Sequence, residues 1–249
     1  MGAVKKFNEN AITNQLRHVE RSIKNPKNKD IDFERTHLNY SLTPHRELTP
    51  KQYFKRRLSE VYVRNDKSMN LLAGWVVTLP EDLDEVWEKD FFEAVYEFLA
   101  ERYGGEKNVI SAEVHKDESG QPHMHFCFIP IAEHKPNQTM IRVMEYFKEF
   151  PESNITHAAN ALKLDRKTVR TYKKCTEDDI KYEKVCAKAV ITKRDLTTFH
   201  EDLQSHLNLK GIPAKVKTGI TKKNGGNKTV EELKAIRDVI EDINMEFEL

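Results

Sequence analysis

The segment His115-Lys116-Asp117-Glu118-Ser119-Gly120-Gln121-Pro122-His123-Met124-His125 gathers three imidazoles and two carboxylates within eleven residues. On an extended strand, side chains at i and i+2 share a face, so His123 and His125 project together while Met124, Phe126 and Phe128 turn the other way. If residues 109–115 form the neighbouring strand of a hairpin, His115 reaches the same patch. Three imidazoles can then hold one divalent ion and leave positions open for phosphate oxygens and water. Asp117 and Glu118, in the connecting loop, are candidates for orienting a ligand or moving a proton. A lone histidine is more often an ordinary polar-face residue, because ligation needs convergent partners; three at this spacing, with carboxylates between them, favour the metal reading. A hydrolytic zinc site finds no support, since the chain has no HExxH and its three cysteines (Cys127, Cys175, Cys186) show no CxxC spacing.

The elements that must position these residues follow from hydrophobic period and chain breakers. Residues 11–23 are predicted as a helix with Ile12, Leu16, Val19 and Ile23 on one face, and His18 and Arg21 on another. A polar stretch leads to a predicted strand at residues 36–42, where Leu38, Tyr40 and Leu42 alternate with His37, Asn39 and Ser41. Thr49-Pro50 reads as the cap and first residue of a helix running to Arg64. Residues 73–79 form a strand stopped by Pro80, and the acidic segment beyond it forms a helix to Arg102, closed by Gly104-Gly105. Residues 109–115 and 123–129 make the hairpin. Residues 139–175 read as wholly helical and 187–191 as a short strand. Two amphipathic helices follow, carrying Leu196, Phe199, Leu203 and Leu207, then Val230, Leu233, Ile236, Ile240 and Ile243. This order predicts an α+β fold with helices packed on one sheet face.

The length of 249 residues, 38% hydrophobic and 33% charged, suits one main domain with one added module. No apolar run approaches the roughly 18 residues needed to cross a bilayer, and the start MGAVKKFNEN lacks a signal-peptide core, so a cytoplasmic protein without a membrane segment is expected. The net charge of +1 conceals segregation: residues 1–60 carry 13 basic against 7 acidic side chains, whereas residues 81–102 carry 9 acidic against 2 basic. A basic face of this kind suits a phosphate-rich partner, although charge alone equally fits an ordinary solvated surface.

HxDE…PHxH in residues 115–125 is similar to the metal motif of the Mob/Pre plasmid mobilisation proteins, the MobV family of relaxases within the HUH endonucleases. RHVERS (17–22) resembles the family's first motif and NKDIDFERTHLNYSLT (28–43) its second, while KTVEELK (228–234) resembles the end of its catalytic domain. The chain departs from the pattern by one extra residue at Gly120-Gln121 and by residues 139–175, which look inserted. The resemblance implies an HUH-type central antiparallel sheet, with the catalytic domain built from residues 1–135 and 180–249. It implies metal-dependent nicking of one strand at an origin of transfer, using Mn²⁺ or Mg²⁺ and leaving a 5′-phosphoryl group on the protein. His115, His123 and His125 would hold the metal, and His18 would be the attacking group. Glu118, with Glu20 as second choice, would orient the His18 imidazole. Arg64 would contact phosphate, and Arg21 and Arg35 would contact DNA. Tyr40 is the alternative nucleophile, although its alternation with Leu38 and Leu42 makes it core. The implied partners are origin DNA, single-stranded at the nick beside a duplex or hairpin, and other mobilisation proteins.

Residues 155–175 also fit a helix-turn-helix pattern: Ile155, Ala159 and Leu162 pack the first helix, Leu164 fills the turn, and Val169 and Tyr172 anchor the second. Asp165 would cap that second helix and expose Arg166, Lys167, Arg170 and Lys173 to DNA, although Lys163 replaces the usual turn glycine. A protein-interaction module fits the same pattern. Two other functions remain open: a rolling-circle replication initiator with the same metal and nucleophile, and a non-catalytic DNA-binding regulator working through the helix-turn-helix. The histidine triad argues against the regulator, which has no need of convergent imidazoles.

Overall fold

The computed structural model describes residues 2–24, 26 and 28–216. In chain order come β1 (Ala3–Asn8), α1 (Glu9–Val19), β2 (Tyr40–Ser41), α2 (Pro50–Ser59), β3 (Asn70–Thr78), α3 (Glu88–Arg102), β4 (Val109–His115) and β5 (His123–Phe128). The five strands form one antiparallel sheet in the order β1-β3-β5-β4-β2, so the α+β class read from the sequence holds and the histidine hairpin lies inside the sheet. Strand β1 was not expected, and the strand predicted at 36–42 shrinks to β2, preceded by a 3₁₀ turn at Thr36–Leu38.

Helices cover both faces of the sheet rather than one, because alternate residues of the central strands are apolar on both sides. On the first face, Trp75, Val77, Ala112, Val114, Met124, Phe126 and Phe128 pack under α3 and under α8 (Lys193–Leu209), which supplies Phe199, Leu203 and Leu207. Phe91, Phe92, Phe126, Phe128 and Phe199 are fully buried, each side chain worth roughly 1.5–3 kcal/mol of transfer from water. On the second face, Ile12, Leu16 and Val19 of α1 and Tyr53 and Phe54 of α2 close over Leu72, Ile110, Cys127 and Ile129. A capping box at Thr49 and Gln52 starts α2, which ends at Ser59 rather than reaching Arg64.

After β5 the chain leaves the sheet through β6 (Ile131–Glu133) and passes through α4 (Gln138–Glu149), α5 (Ile155–Leu162) and α6 (Arg166–Tyr172). It returns by β7 (Glu183–Val185), which pairs antiparallel with β6. The three helices enclose a small core of their own, in which Val143, Ala158, Ala159 and Val169 are buried. Residues 187–191, expected as a strand, instead carry the helical turn α7 (Ala187–Val190); the strand is β7, just before it. The expected final helix with Val230 and Ile243, and KTVEELK, lie outside the described residues.

Candidate functional site

The β4–β5 register places His115 opposite His123, and His125 lies two residue pairs further along, on the same face, opposite Glu113. The ring centroids are 5.6 Å apart for His115 and His123, 4.7 Å for His115 and His125, and 5.0 Å for His123 and His125. The three predicted imidazoles therefore converge. This is the sheet face that carries α1, whose last turn adds a fourth ring: His18 lies 5.4 Å from His125 and 6.3 Å from His115.

Donor atoms from His115, Glu118, His123 and His125 all lie within 4.8 Å of one another. Donors held about 2.1 Å from a common ion stand at most about 4.2 Å apart, so the group needs only slight contraction to share one. Two buried ring nitrogens, His115 Nδ1 and His125 Nε2, have no hydrogen-bond partner among the described residues. His115 Nε2 lies 2.8 Å from the Val19 carbonyl oxygen. A carbonyl can only accept, so the proton sits on Nε2 and the Nδ1 lone pair faces the cluster. Burial keeps all three rings in the neutral form that ligation requires. It pushes His115 down to about 4, and it also lowers His123 and His125, the latter with help from its neighbouring imidazoles. The residues fit a divalent ion.

Arg21 ties this cluster to α1. The helix ends in a pair of reversed hydrogen bonds, Ser22 N–H to Arg17 O and Arg21 N–H to His18 O, with Arg21 in the left-handed region at φ 53°. From there its guanidinium donates to both Asp117 oxygens, at 3.0 and 2.6 Å, to Glu118 at 2.6 Å and to the His18 carbonyl at 3.2 Å. Asp117 is fully buried and also accepts from Thr36 Oγ1 at 3.0 Å, while its backbone carbonyl accepts from Asp32 N–H at 2.7 Å. Burial alone would raise the Asp117 pKa, but the hydrogen bonds and charge of Arg21 hold it well below the usual carboxylate range. The three motif segments 17–22, 28–43 and 115–125 thus meet at one carboxylate. Burial and the charge of Arg21 keep His18 below its ordinary pKa, and Glu118 acts in the opposite sense without hydrogen-bonding to it among the described residues.

The sequence pattern of the plasmid recombination enzyme family, Mob_Pre, matches residues 1–166 of this chain. The chain belongs to this family. The plasmid recombination enzyme of Streptococcus agalactiae is 35% identical over 145 residues, covering 55% of this chain and 29% of that protein. The type 1 enzyme of Staphylococcus aureus is 35% identical over 125 residues, covering 47% of this chain and 30% of that protein. The chain spans about a third of the length of these curated relatives. In fold it resembles the Mn-bound MobM relaxase domain crystallised with plasmid pMV158 oriT DNA, with a TM-score of 0.65 at 24% identity, covering 95% of this chain and 97% of that one.

The other residues that the Mob_Pre resemblance singled out fall at different distances from the cluster. Tyr40 packs under α3 on the opposite sheet face, where burial and the charge of Glu88 raise its pKa. Arg35 is exposed at the start of the 3₁₀ turn. Arg64 is exposed and paired with Asp66, with no bond to the cluster. It precedes the Asn70 end of β3, whereas the cluster faces the Thr78 end. Arg21, expected to touch DNA, is spent on Asp117, Glu118 and the His18 carbonyl, and its side chain is 9% exposed. Glu20 lies near Glu113 and makes no hydrogen bond to His18 among the described residues. Sequence reasoning missed the Val19 carbonyl, which leaves no trace in side-chain identity. It missed the Arg21–Asp117 pair because the partners stand 96 positions apart.

Proposed function

We propose that this chain is the catalytic part of a relaxase that nicks one DNA strand at a plasmid origin of transfer and stays covalently attached to it. The observation that carries the reading is the His18 ring 5.4 Å from His125, beside two buried imidazole nitrogens that lack partners among the described residues. The Mn²⁺ and oriT DNA bound to the MobM domain support the choice of ligand and substrate, and the recombination role in the relatives' names favours strand transfer over replication initiation. The protein acts in the cytoplasm, and among the described residues no helix is long and apolar enough to cross a membrane.

His115, His123 and His125, with Glu118 beside them, would hold Mn²⁺ or Mg²⁺, which when bound supplies Lewis-acid polarisation of a phosphoryl oxygen. His18, kept neutral by burial, presents an unprotonated ring nitrogen. That nitrogen attacks phosphorus and a P–N bond forms. The P–O3′ bond breaks, and the 3′-oxygen leaves with the electron pair. The proton taken up by the 3′-oxygen balances the one the imidazole gives up on becoming a phosphoramidate. Return attack by the 3′-hydroxyl reverses the step, which is what strand transfer needs. Arg21 acts here as a positioning residue, through Asp117 and the end of α1. Exposed Phe33, which lines a small pocket together with His18 and Arg17, offers a ring on which a flanking base can stack.

The test is nicking of supercoiled plasmid DNA carrying the cognate origin, with Mn²⁺ or Mg²⁺, by wild type, His18→Ala and His123→Ala. The proposal expects a covalent protein–DNA adduct from wild type alone. Nicking unaffected by His123→Ala would refute the metal assignment, and an adduct retained by His18→Ala would refute the nucleophile.

A further inference from the structure

Nicking leaves the excursion from α4 to α6 without a task. We propose that it is a reader of duplex DNA, with α6 as the helix that enters the major groove; the choice of DNA over another polyanion rests on the relaxase reading. Three observations carry this.

The first is the turn. Lys163 adopts the left-handed conformation at φ 54°, Leu164 N–H reaches back to Ala159 O at 3.0 Å, and Asp165 caps α6 through Thr168 N–H at 2.9 Å. Three residues therefore separate α5 from α6, and the lysine takes the conformation that glycine usually supplies in such turns. Val143, Ala158, Ala159 and Val169 seal the helices against one another, so their arrangement does not depend on the main core.

The second is charge. Residues 163–174 hold six basic side chains and one acidic one, and that acid, Asp165, is committed to its cap. Arg166, Lys167, Arg170 and Lys174 are exposed, and their side chains have no ion pair or hydrogen bond among the described residues. From Arg166 to Tyr172 α6 rises about 9 Å, within the width of the major groove, about 12 Å, and Lys174 follows two residues past its end. Lys173, expected on the same surface, instead lies 4.2 Å over the Phe147 ring and reaches Ser153 O, so it belongs to the module's own packing.

The third is the neck. β6 pairs with β7, Tyr62 bonds through its backbone to Glu183 and Val185, and Arg57, 4% exposed, donates to Glu183 while Lys107 pairs with the same carboxylate. The module is thereby fastened to α2, to Tyr62 beyond it and to the turn that leads into β4, which suits a protein that must hold duplex and nick at one spacing.

The test compares wild type with Arg166→Gln/Lys167→Gln/Arg170→Gln/Lys174→Gln by fluorescence anisotropy. The probes are a short fluorescein-labelled duplex of mixed sequence and its single strand, measured across a range of salt. Each lost phosphate contact lowers the slope of log K against log salt by about 0.9, so the expected change is about 3 to 4, with duplex affinity down at least about tenfold. Cleavage of a single-stranded origin oligonucleotide is expected to stay unchanged. The substituted side chains are all exposed, and Arg170→Gln alone, expected to lower the slope by about 1, covers the case of a misfolded quadruple variant. Unchanged duplex affinity and slope in both variants would overturn the proposal and favour a protein partner for this surface. Loss of duplex binding in a chain that cleaves nothing would sink the relaxase reading and leave the duplex reader standing.

Discussion

Replacing Asp117 by asparagine keeps the shape of the side chain and removes the charge at the point where three motif segments meet. In the native chain the Asp117 carboxylate is fully buried against an Arg21 side chain only 9% exposed, with paired contacts at 2.6 and 3.0 Å. Removing one partner of a buried ion pair costs about 3–5 kcal/mol. Here Glu118 still accepts from Arg21, which puts the loss near the lower end, about 3 kcal/mol. In a chain of this size that is a fall in Tm of about 6–12 °C, read by circular dichroism in chelator at neutral pH. The loss depends on pH with a definite sign. A carboxylate held below its ordinary pKa contributes stability that is present above that value and disappears as pH falls toward its folded pKa. The gap between wild type and Asp117→Asn should therefore hold from neutrality to about pH 5 and begin to narrow below about pH 4, closing only as pH approaches the folded pKa. Glu118 is also expected to swing toward the uncompensated guanidinium, so Mn²⁺ affinity, measured by calorimetry, should drop about 10–100-fold. A variant that melts with wild type and binds Mn²⁺ equally well would refute the view of Asp117 as the junction of the site.

Tyr40→Phe should retain covalent adduct formation, since the phenol lies on the sheet face away from His18; an adduct lost in this variant and kept in His18→Ala would reverse the assignment. His125→Ala should abolish the stabilisation that Mn²⁺ confers, which for wild type at a hundredfold excess over Kd is about 2.7 kcal/mol in a thermal shift. Metal-free protein should lose up to about 3 kcal/mol as pH drops from 6.5 to about 4, because buried His115 resists protonation to about 4 while the unfolded chain takes up the proton; His115→Gln should flatten that part of the urea-stability profile. Lys163→Gly should stabilise the three-helix module by about 1 kcal/mol by relieving a left-handed non-glycine residue, visible as slower hydrogen exchange of the amides in α5 and α6.

The histidine hairpin was legible because its chemistry is local: i and i+2 on one strand fix His123 and His125, and a short loop brings His115 opposite. Core helices were legible where apolar period and breakers agreed, as at α3, which ends before Gly104 with Gly105 N–H returning to Ala100 O. Strand β1 was missed because its sequence, AVKKFN, has no fully buried residue and carries little alternation. The helical turn α7 was read as a strand for a related reason: AKAVI, residues 187–191, is too short for its period to separate strand from helix.

The end of α1 shows what local patterns cannot supply. Gly211 closes α8 and Gly104 closes α3 with the same paired reversed bonds that Arg21 and Lys163 use at α1 and α5. A glycine announces such an end in sequence; an arginine or lysine does not, which is why the first helix was expected to run past Val19 to Ile23. The two non-glycine ends are the only positive-φ non-glycine residues among those described, and a left-handed L-residue costs about 1–2 kcal/mol. At α1 that cost has a visible return. From its left-handed position Arg21 reaches Asp117 and Glu118, while the same chain reversal leaves the Val19 carbonyl on His115 and the His18 ring beside His125. A glycine there would relax the backbone and forfeit the guanidinium, so strain and site are one feature. At α5 Lys163 makes no comparable contact among the described residues, and so relief of strain at Lys163 should leave nicking untouched where the same relief at Arg21 should not.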